Sequence, residues 1–313
     1  METYIFHHGS LPLETALDFE PAVFNLPEYF LMNEPTGWLS FYILDQRHSS
    51  AVASLHLHVK GKVAKSPLKA PFGSLECSDR INPRTLFDFL NYVEAELKAR
   101  GVDEVYLTNA PRAYSPPIIS LLEVFLLNQK WIVCEAETGA TLIVDQIPFT
   151  DKIRHAELLR FKQALNAGFH FKRLPEEDVG QVYRFISACH HEKGYKISIE
   201  EAGLTAAVAR FPGRYLLFGI FDGSRMVSAS VSILVKGSIL YNFLVNHERQ
   251  HNQLSPPVML MEGLYHYCRD HAISLLDMGT SALIGNPNFQ LLDFKMHLGA
   301  SPTTKLSFYK KIM

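Results

Sequence analysis

The 313-residue sequence predicts a mixed α+β fold built from two tandem halves, each a mostly antiparallel mixed sheet flanked by helices, and three observations carry that expectation. The first is composition. With 47% hydrophobic and 20% charged residues, and a length beyond one typical domain, the chain has the balance of a protein with sizeable cores. The second is an internal duplication. Residues 38–46 (WLSFYILDQ) and 53–61 (ASLHLHVKG) align with residues 215–223 (YLLFGIFDG) and 229–237 (ASVSILVKG), with one residue inserted between blocks. Leu39, Phe41, Ile43 and Asp45 match Leu216, Phe218, Ile220 and Asp222, while Ala53, Ser54, Val59, Lys60 and Gly61 match Ala229, Ser230, Val235, Lys236 and Gly237. The third is a shared order after those blocks: a third strand, a polar loop, a proline-started helix and a strand.

Each repeated block is an apolar, β-branched and aromatic run closed by Asp or Lys-Gly, which predicts an antiparallel meander at the start of both halves. The first half continues with KVAKSPLKA (62–70) as a third strand. A helix then follows over NPRTLFDFLNYVEAELKARG (82–101), where Asn82 can cap, Pro83 suits the first turn, and Leu86, Phe87, Leu90, Val93 and Leu97 make an apolar stripe. VDEVYLTN (102–109) reads as the next strand. DKIRHAELLRFKQALNAG (151–168) predicts a connecting helix with Gly168 as its stop, dividing the chain into 1–148 and 149–313. The second half reads in order as a strand (169–175), two helices (176–194 and 198–212), the meander with SILYNFLVN (238–246) as its third strand, a helix capped by Ser255 (255–272), a strand (273–281), a helix (289–300) and a closing strand (303–312).

Several functions are disfavoured by the same sequence. A net charge of -2 provides no global basic field for nucleic acid. Four widely spaced cysteines without a C-x-x-C pair fit a reducing, cytoplasmic setting, and no apolar run reaches the length of a membrane span. There is no G-x-S-x-G, P-loop or dinucleotide fingerprint. One motif does stand out: HERQH (247–251) spells H-E-x-x-H, which binds zinc when a helix puts both histidines on one face. Here it lies between a strand and the Ser255-Pro256-Pro257 helix start, and proline disfavours helical geometry just before it. A zinc metallopeptidase is therefore the weakest alternative, and no metal is expected. His56 and His58 share a strand face without an acid or cysteine at ligand spacing, and Glu262, His266 and Asp270 read as an i,i+4 polar face.

KAPFGSLE (69–76) resembles the apfGG turn, and LLDMGTS (275–281) with LLDFKMHLGA (291–300) resembles the closing D-x-G…FK-x-x-x-G pattern, of the Fem-type aminoacyl and acyl transferases. These carry two units of the GNAT N-acyltransferase fold in one chain, and the resemblance spans nearly all of this sequence. It implies transfer of an acyl or aminoacyl group from acetyl-CoA, another acyl-CoA or aminoacyl-tRNA to a small-molecule or peptide amine. The first half would shape the acceptor cleft. In the resembled fold, donor pyrophosphate lies on the amides of a helix N-terminus after a Q/R-x-x-G-x-G/A loop. Arg249, Asn252, Leu254 and Ser255 occupy that place, with both glycines replaced. A non-catalytic ligand-binding protein is the alternative that this loss suggests.

Among catalytic candidates, Asp277 would orient the amine or serve as base, against the plainer reading of a carboxylate capping its loop. Lys295 would stabilise an oxyanion or bind an anionic group, against a solvated lysine paired with Asp293. Tyr241 would protonate the leaving group, against strand packing. Asn242, His247, Ser281 and Asn288 are candidates for substrate contacts, with turn chemistry the plain reading for Ser281, Asn286 and Asn288.

Overall fold

The computed structural model describes residues 4–194, 197–283 and 285–312. Two compact units emerge, Met1–Glu137 with Thr303–Met313, and Thr138–Pro302. In the first, β1 (Tyr4–His8), β2 (Ala16–Leu17) and α1 (Pro27–Asn33) precede the meander β3 (Trp38–Asp45), β4 (Ser50–Lys60) and β5 (Val63–Ser66). Then come β6 (Glu76–Cys77), α2 (Pro83–Ala99), β7 (Glu104–Thr108), α3 (Pro116–Asn128) and the start of β8 (Ile132–Ile143). The strand order β1-β3-β4-β5-β7 is antiparallel except that β5 and β7 run parallel.

Helix α2 begins as the sequence dictates: Asn82 Oδ1 accepts from the amides of Arg84 (2.9 Å) and Thr85 (3.4 Å), and Pro83 fills a position that has no helical partner to donate to. Its buried stripe is Leu86, Phe89, Leu90, Val93 and Leu97, packed into a core with Phe41, Leu55, Leu107 and Leu122. Phe87, expected in that stripe, stands beside it and meets Phe125 edge-on.

In the second unit, the end of β8 is followed by α4 (Phe149–Lys152), α5 (His155–Asn166), β9 (Phe169–Leu174), α6 (Val179–Glu192) and α7 (Glu201–Arg210). The repeated meander is β10 (Tyr215–Asp222), β11 (Arg225–Lys236) and β12 (Ile239–His247). It leads to α8 (Pro256–Asp270), β13 (Leu275–Thr280), the short β14 (Ala282–Leu283) and β15 (Asn286–Pro287) and α9 (Phe289–His297), after which β16 (Ser301–Lys311) belongs from Thr303 onward to the first unit. The order is β8-β13-β12-β11-β10-β9, with β12 and β13 the parallel pair. Helix α8 buries Val258, Met259, Leu260, Leu264 and Tyr265 against Phe218, Leu240 and Leu276. Gly263 is required there because a Cβ would fall 2.2 Å from the Phe171 ring.

The duplication extends to a structural irregularity. The β3–β4 register shifts between Ile43 and Leu44, and the β10–β11 register shifts between Ile220 and Phe221, the matched place in the repeat. The division of the chain differs from the sequence-based one at 148/149. Compact units part at 137/138, and β16, which the sequence placed with the second half, pairs antiparallel with β7 from Ser307↔Thr108 to Lys311↔Glu104. The second unit instead takes the end of β8 as the neighbour of β13, from Leu275↔Ile143 to Thr280↔Gly139. Among the described residues no helix is long and apolar enough to cross a membrane.

Candidate active site at the divergence of two parallel strands

Strands β12 and β13 pair over only three positions, Ile239↔Leu275, Leu240↔Leu276 and Tyr241↔Asp277. Beyond them β12 follows β11, skipping Phe243 as a bulge between Ser232↔Asn242 and Val231↔Leu244, while β13 stays paired with β8, with a register shift between Asp277 and Thr280. The strands part where the sequence placed most of its catalytic candidates.

Asp277 is buried, and its Oδ1 accepts from the Gly279 amide at 2.7 Å, closing a tight turn at the end of β13. Gly279 has φ +75°, a conformation that glycine adopts without Cβ strain, and a Cβ there would lie 3.4 Å from the Tyr241 ring. Tyr241 therefore lies beside the turn, with Phe243 as ring neighbour at 5.8 Å. Into the same turn α9 delivers Lys295, whose ammonium donates to the carbonyls of Gly279 (2.8 Å) and Thr280 (2.9 Å). This lysine is 5% exposed, unlike the solvated residue paired with Asp293 in the plain reading. Burial pulls it down to about 8, with Asp277 pulling the other way.

Ser281 follows directly. Its amide donates to Thr138 O (2.7 Å) and its carbonyl accepts from Asn288 N (2.8 Å), but its buried hydroxyl has no partner among the described residues. Asn288 caps α9, its Oδ1 accepting from Leu291 N at 3.1 Å, and so supports the helix that carries Lys295. Asn242 is placed away from this group. Its Oδ1 accepts from Ser230 Oγ (2.5 Å) and Ser232 Oγ (3.4 Å), and its amide nitrogen faces Met261 of α8, so a buried polar network engages it.

The H-E-x-x-H string does not form the helix that zinc binding needs. His247 ends β12, Arg249–Leu254 is a 3-10 turn, and His247 Nε2 bonds Asn252 Oδ1 at 2.8 Å while His251 meets Phe169 edge-on. Among the described residues no group of three or more His, Cys, Asp or Glu is arranged to hold a metal ion.

The donor loop also departs from expectation. Ser255 adopts φ 47° and makes no side-chain cap, so the capping expected from its identity is not realised. Pro256 and Pro257 have no N–H, and Val258 N donates to Ser255 O at 3.0 Å. The first turn of α8 thus offers no free amide at its first three positions, and the pyrophosphate cradle that the resemblance implied is not built from backbone. Leu254 packs on the core. Exposed Arg249 remains as a free cation among the described residues.

A neighbouring group escaped the sequence reading. Lys193, just past α6, donates to Asn246 Oδ1 (2.5 Å) and His247 O (3.3 Å), with burial lowering its pKa and Arg249 pushing the same way. Burial and then the Lys193 charge hold His247 down to about 4, so it is neutral at pH 7. The sequence places Lys193 only at the end of the helix over 176–194, and nothing in its spacing announces a contact with a strand more than fifty residues away.

No protein-family model matches the sequence, and no curated protein matches it. Solved structures do match. FemX is similar with a TM-score of 0.69 and 12% identity, covering 93% of each chain. L-PGS from Bacillus licheniformis gives 0.55 and 12%, over 84% of this chain and 82% of that one. A tandem GNAT protein from the clavulanic acid biosynthesis pathway gives 0.52 and 11%, over 88% and 83%. The chain has a GNAT-like, Fem-type fold.

Proposed function

We propose that this protein is a transferase that moves an acyl or aminoacyl group from an activated ester or thioester to an amine, at the divergence of β12 and β13. The observation that carries this reading is the buried Lys295 ammonium, fixed by two carbonyls in the turn that opens the strands. A lysine held by two of its N–H groups keeps a third for an oxygen that gains charge, and burial strengthens that interaction. With a pKa near 8 it remains mostly ammonium at pH 7 yet is acidic enough to give up a proton.

In the proposed reaction the neutral amine nitrogen bonds to the donor carbonyl carbon, giving a tetrahedral oxyanion that Lys295 stabilises. The C–O or C–S bond then breaks, the nitrogen releases a proton to water or a nearby base, and the leaving oxygen or sulfur takes one up. Tyr241 stands beside the turn as a proton donor for that departure. Asp277 acts by fixing the turn, since its Oδ1 is engaged by Gly279 N. Ser281, with an unmet hydroxyl next to the carbonyl that Lys295 holds, is a substrate contact.

The donor is an acyl-CoA or an aminoacyl-tRNA, and the acceptor a small-molecule or peptide amine. The prolines of α8 favour a donor gripped by the Arg249 and Lys193 side chains over one seated on helix amides. Incubating the protein with acetyl-CoA, or with a charged tRNA pool, and a mixture of amines tests the reading through release of thiol or deacylated tRNA. Donor consumption that depends on amine and is lost in Lys295→Met is expected. Saturable donor binding without turnover would leave the non-catalytic binder standing instead.

A further inference from the structure

We propose a second ligand site on the first unit, a phosphate-binding cavity between α2, the end of α3 and β16, independent of the transferase reading. The cavity measures about 510 Å³, within the range of small-molecule sites. Its walls carry three lysines, Lys98, Lys130 and Lys310, against one acid, Glu94. Lys310 is accounted for. Its ammonium, largely buried, donates to Glu94 Oε2 at 2.5 Å and to Gln129 O at 2.6 Å. The side chains of Lys98 and Lys130 have no partner among the described residues, which leaves two uncompensated cations lining one cavity.

The remaining lining sharpens the chemistry. Asn91 and Asn128 present exposed carboxamides without partners among the described residues. Gln129 is 8% exposed. Its Nε2 donates to Phe87 O at 3.0 Å, but its Oε1 is buried without a donor, a state that costs about 1–3 kcal/mol unless something satisfies it. A side wall is apolar, formed by Phe87 and Ala95. Two free ammonium groups match a doubly charged anion better than a single carboxylate, and the carboxamides supply further donors. The ligand class is a phosphate ester, with the apolar wall of Phe87 and Ala95 beside the organic group that it carries. Such a group can come from a free nucleotide or from a nucleic-acid backbone.

Calorimetric titration of the full chain at low salt, with AMP as the probe and acetate as the singly charged control, tests this. Saturable AMP binding is expected, weakened at least about tenfold in a Lys98→Gln, Lys130→Gln double variant whose melting temperature is unchanged, because both side chains are exposed and unpaired. A short single-stranded RNA separates the two sources. Binding tighter than AMP by more than about tenfold, and falling steeply with salt, assigns the site to a nucleic-acid backbone, whereas binding no tighter than AMP assigns it to a free nucleotide. AMP binding that the double variant retains in full, or no AMP binding by the wild-type chain, overturns the proposal. An Asn91→Leu variant, which obstructs the cavity without touching a charge, is expected to weaken AMP as well, and normal binding there also counts against the site.

Discussion

In each unit the last strand of the duplicated meander pairs in parallel with the strand after the next helix, and the two pairs have taken opposite courses. In the second unit β12 and β13 separate after Tyr241↔Asp277, and a buried lysine enters the turn beside the opening. In the first unit β5 and β7 stay paired to Ser66↔Leu107, and the chain then fills the space that follows. Residues 67–73 loop out and return, so that Gly73 N donates to Thr108 O at 3.0 Å and Ser74 N donates to Ser66 Oγ at 2.9 Å. Gly73 is pressed onto Pro67, where a Cβ would lie 3.0 Å from the proline Cβ. The APFGS segment, one of the phrases behind the family resemblance, is the filling. A duplicated framework has thus been kept open in one copy and sealed in the other, and the transfer proposed above is assigned to the open one.

The largest effect that would sharpen this contrast is expected from Lys295→Met, which should lower kcat by roughly 10²–10³, the loss typical of one preorganised oxyanion donor. A change confined to KM would break it. The pH profile comes next. If the ammonium is the working form, kcat should fall about tenfold per pH unit above the Lys295 pKa of about 8. The same group has a stability signature. Its folded pKa lies below the usual lysine value, so between about 8 and 10.5 the unfolded chain binds the extra proton and stability rises with pH. That rise should vanish in Lys295→Met, as read by melting temperature against pH.

Smaller effects separate the units through packing. Gly73→Val overfills the sealed side and should cost about 1–3 kcal/mol of stability. Gly279→Ala, at positive φ, should cost roughly 1 kcal/mol and disturb Tyr241, showing in activity as well as melting temperature. The smallest pair differs in sign. Asn242→Leu breaks a satisfied network with Ser230 and Ser232 and should destabilise, while Asn109→Leu removes a fully buried carboxamide with no partner among the described residues and should be neutral or stabilising by about 1 kcal/mol. Equal losses at both asparagines in urea unfolding would contradict the bonding described for them.

Much of the framework was legible because local signals agreed: turn residues closed each repeated strand, Asn82 announced α2, and apolar runs were bounded by glycine or proline. Helix α3 left no comparable trace, since its apolar residues occur on every side and make no stripe. Only the family pattern singled out Asp277 and Lys295 together, and that they meet in one turn was not locally readable: no local rule states that a helix lysine will seek the carbonyls of a turn fifteen residues earlier. Ser255 was misread because its identity suits a cap while its backbone is left-handed, and φ is not written in a side chain. Proline's missing N–H was readable at once, although its consequence for a phosphate cradle required knowing that Val258 is already bonded inward. The partners of β8 and β16 were beyond local reading, because strand pairing is decided by residues far apart in sequence.

That crossed use of β16 bears on how the protein is made. Synthesis runs from the N-terminus, and a first unit completed by its own residues would be free to fold while the rest was still being translated. Here the strand that covers β7 lies far downstream of it in the sequence, and its final pair joins Lys311 to Glu104. The nascent chain must hold that edge unpaired until β16, nearly two hundred residues further on, has been made, which makes that interval the time when chaperones have most to protect.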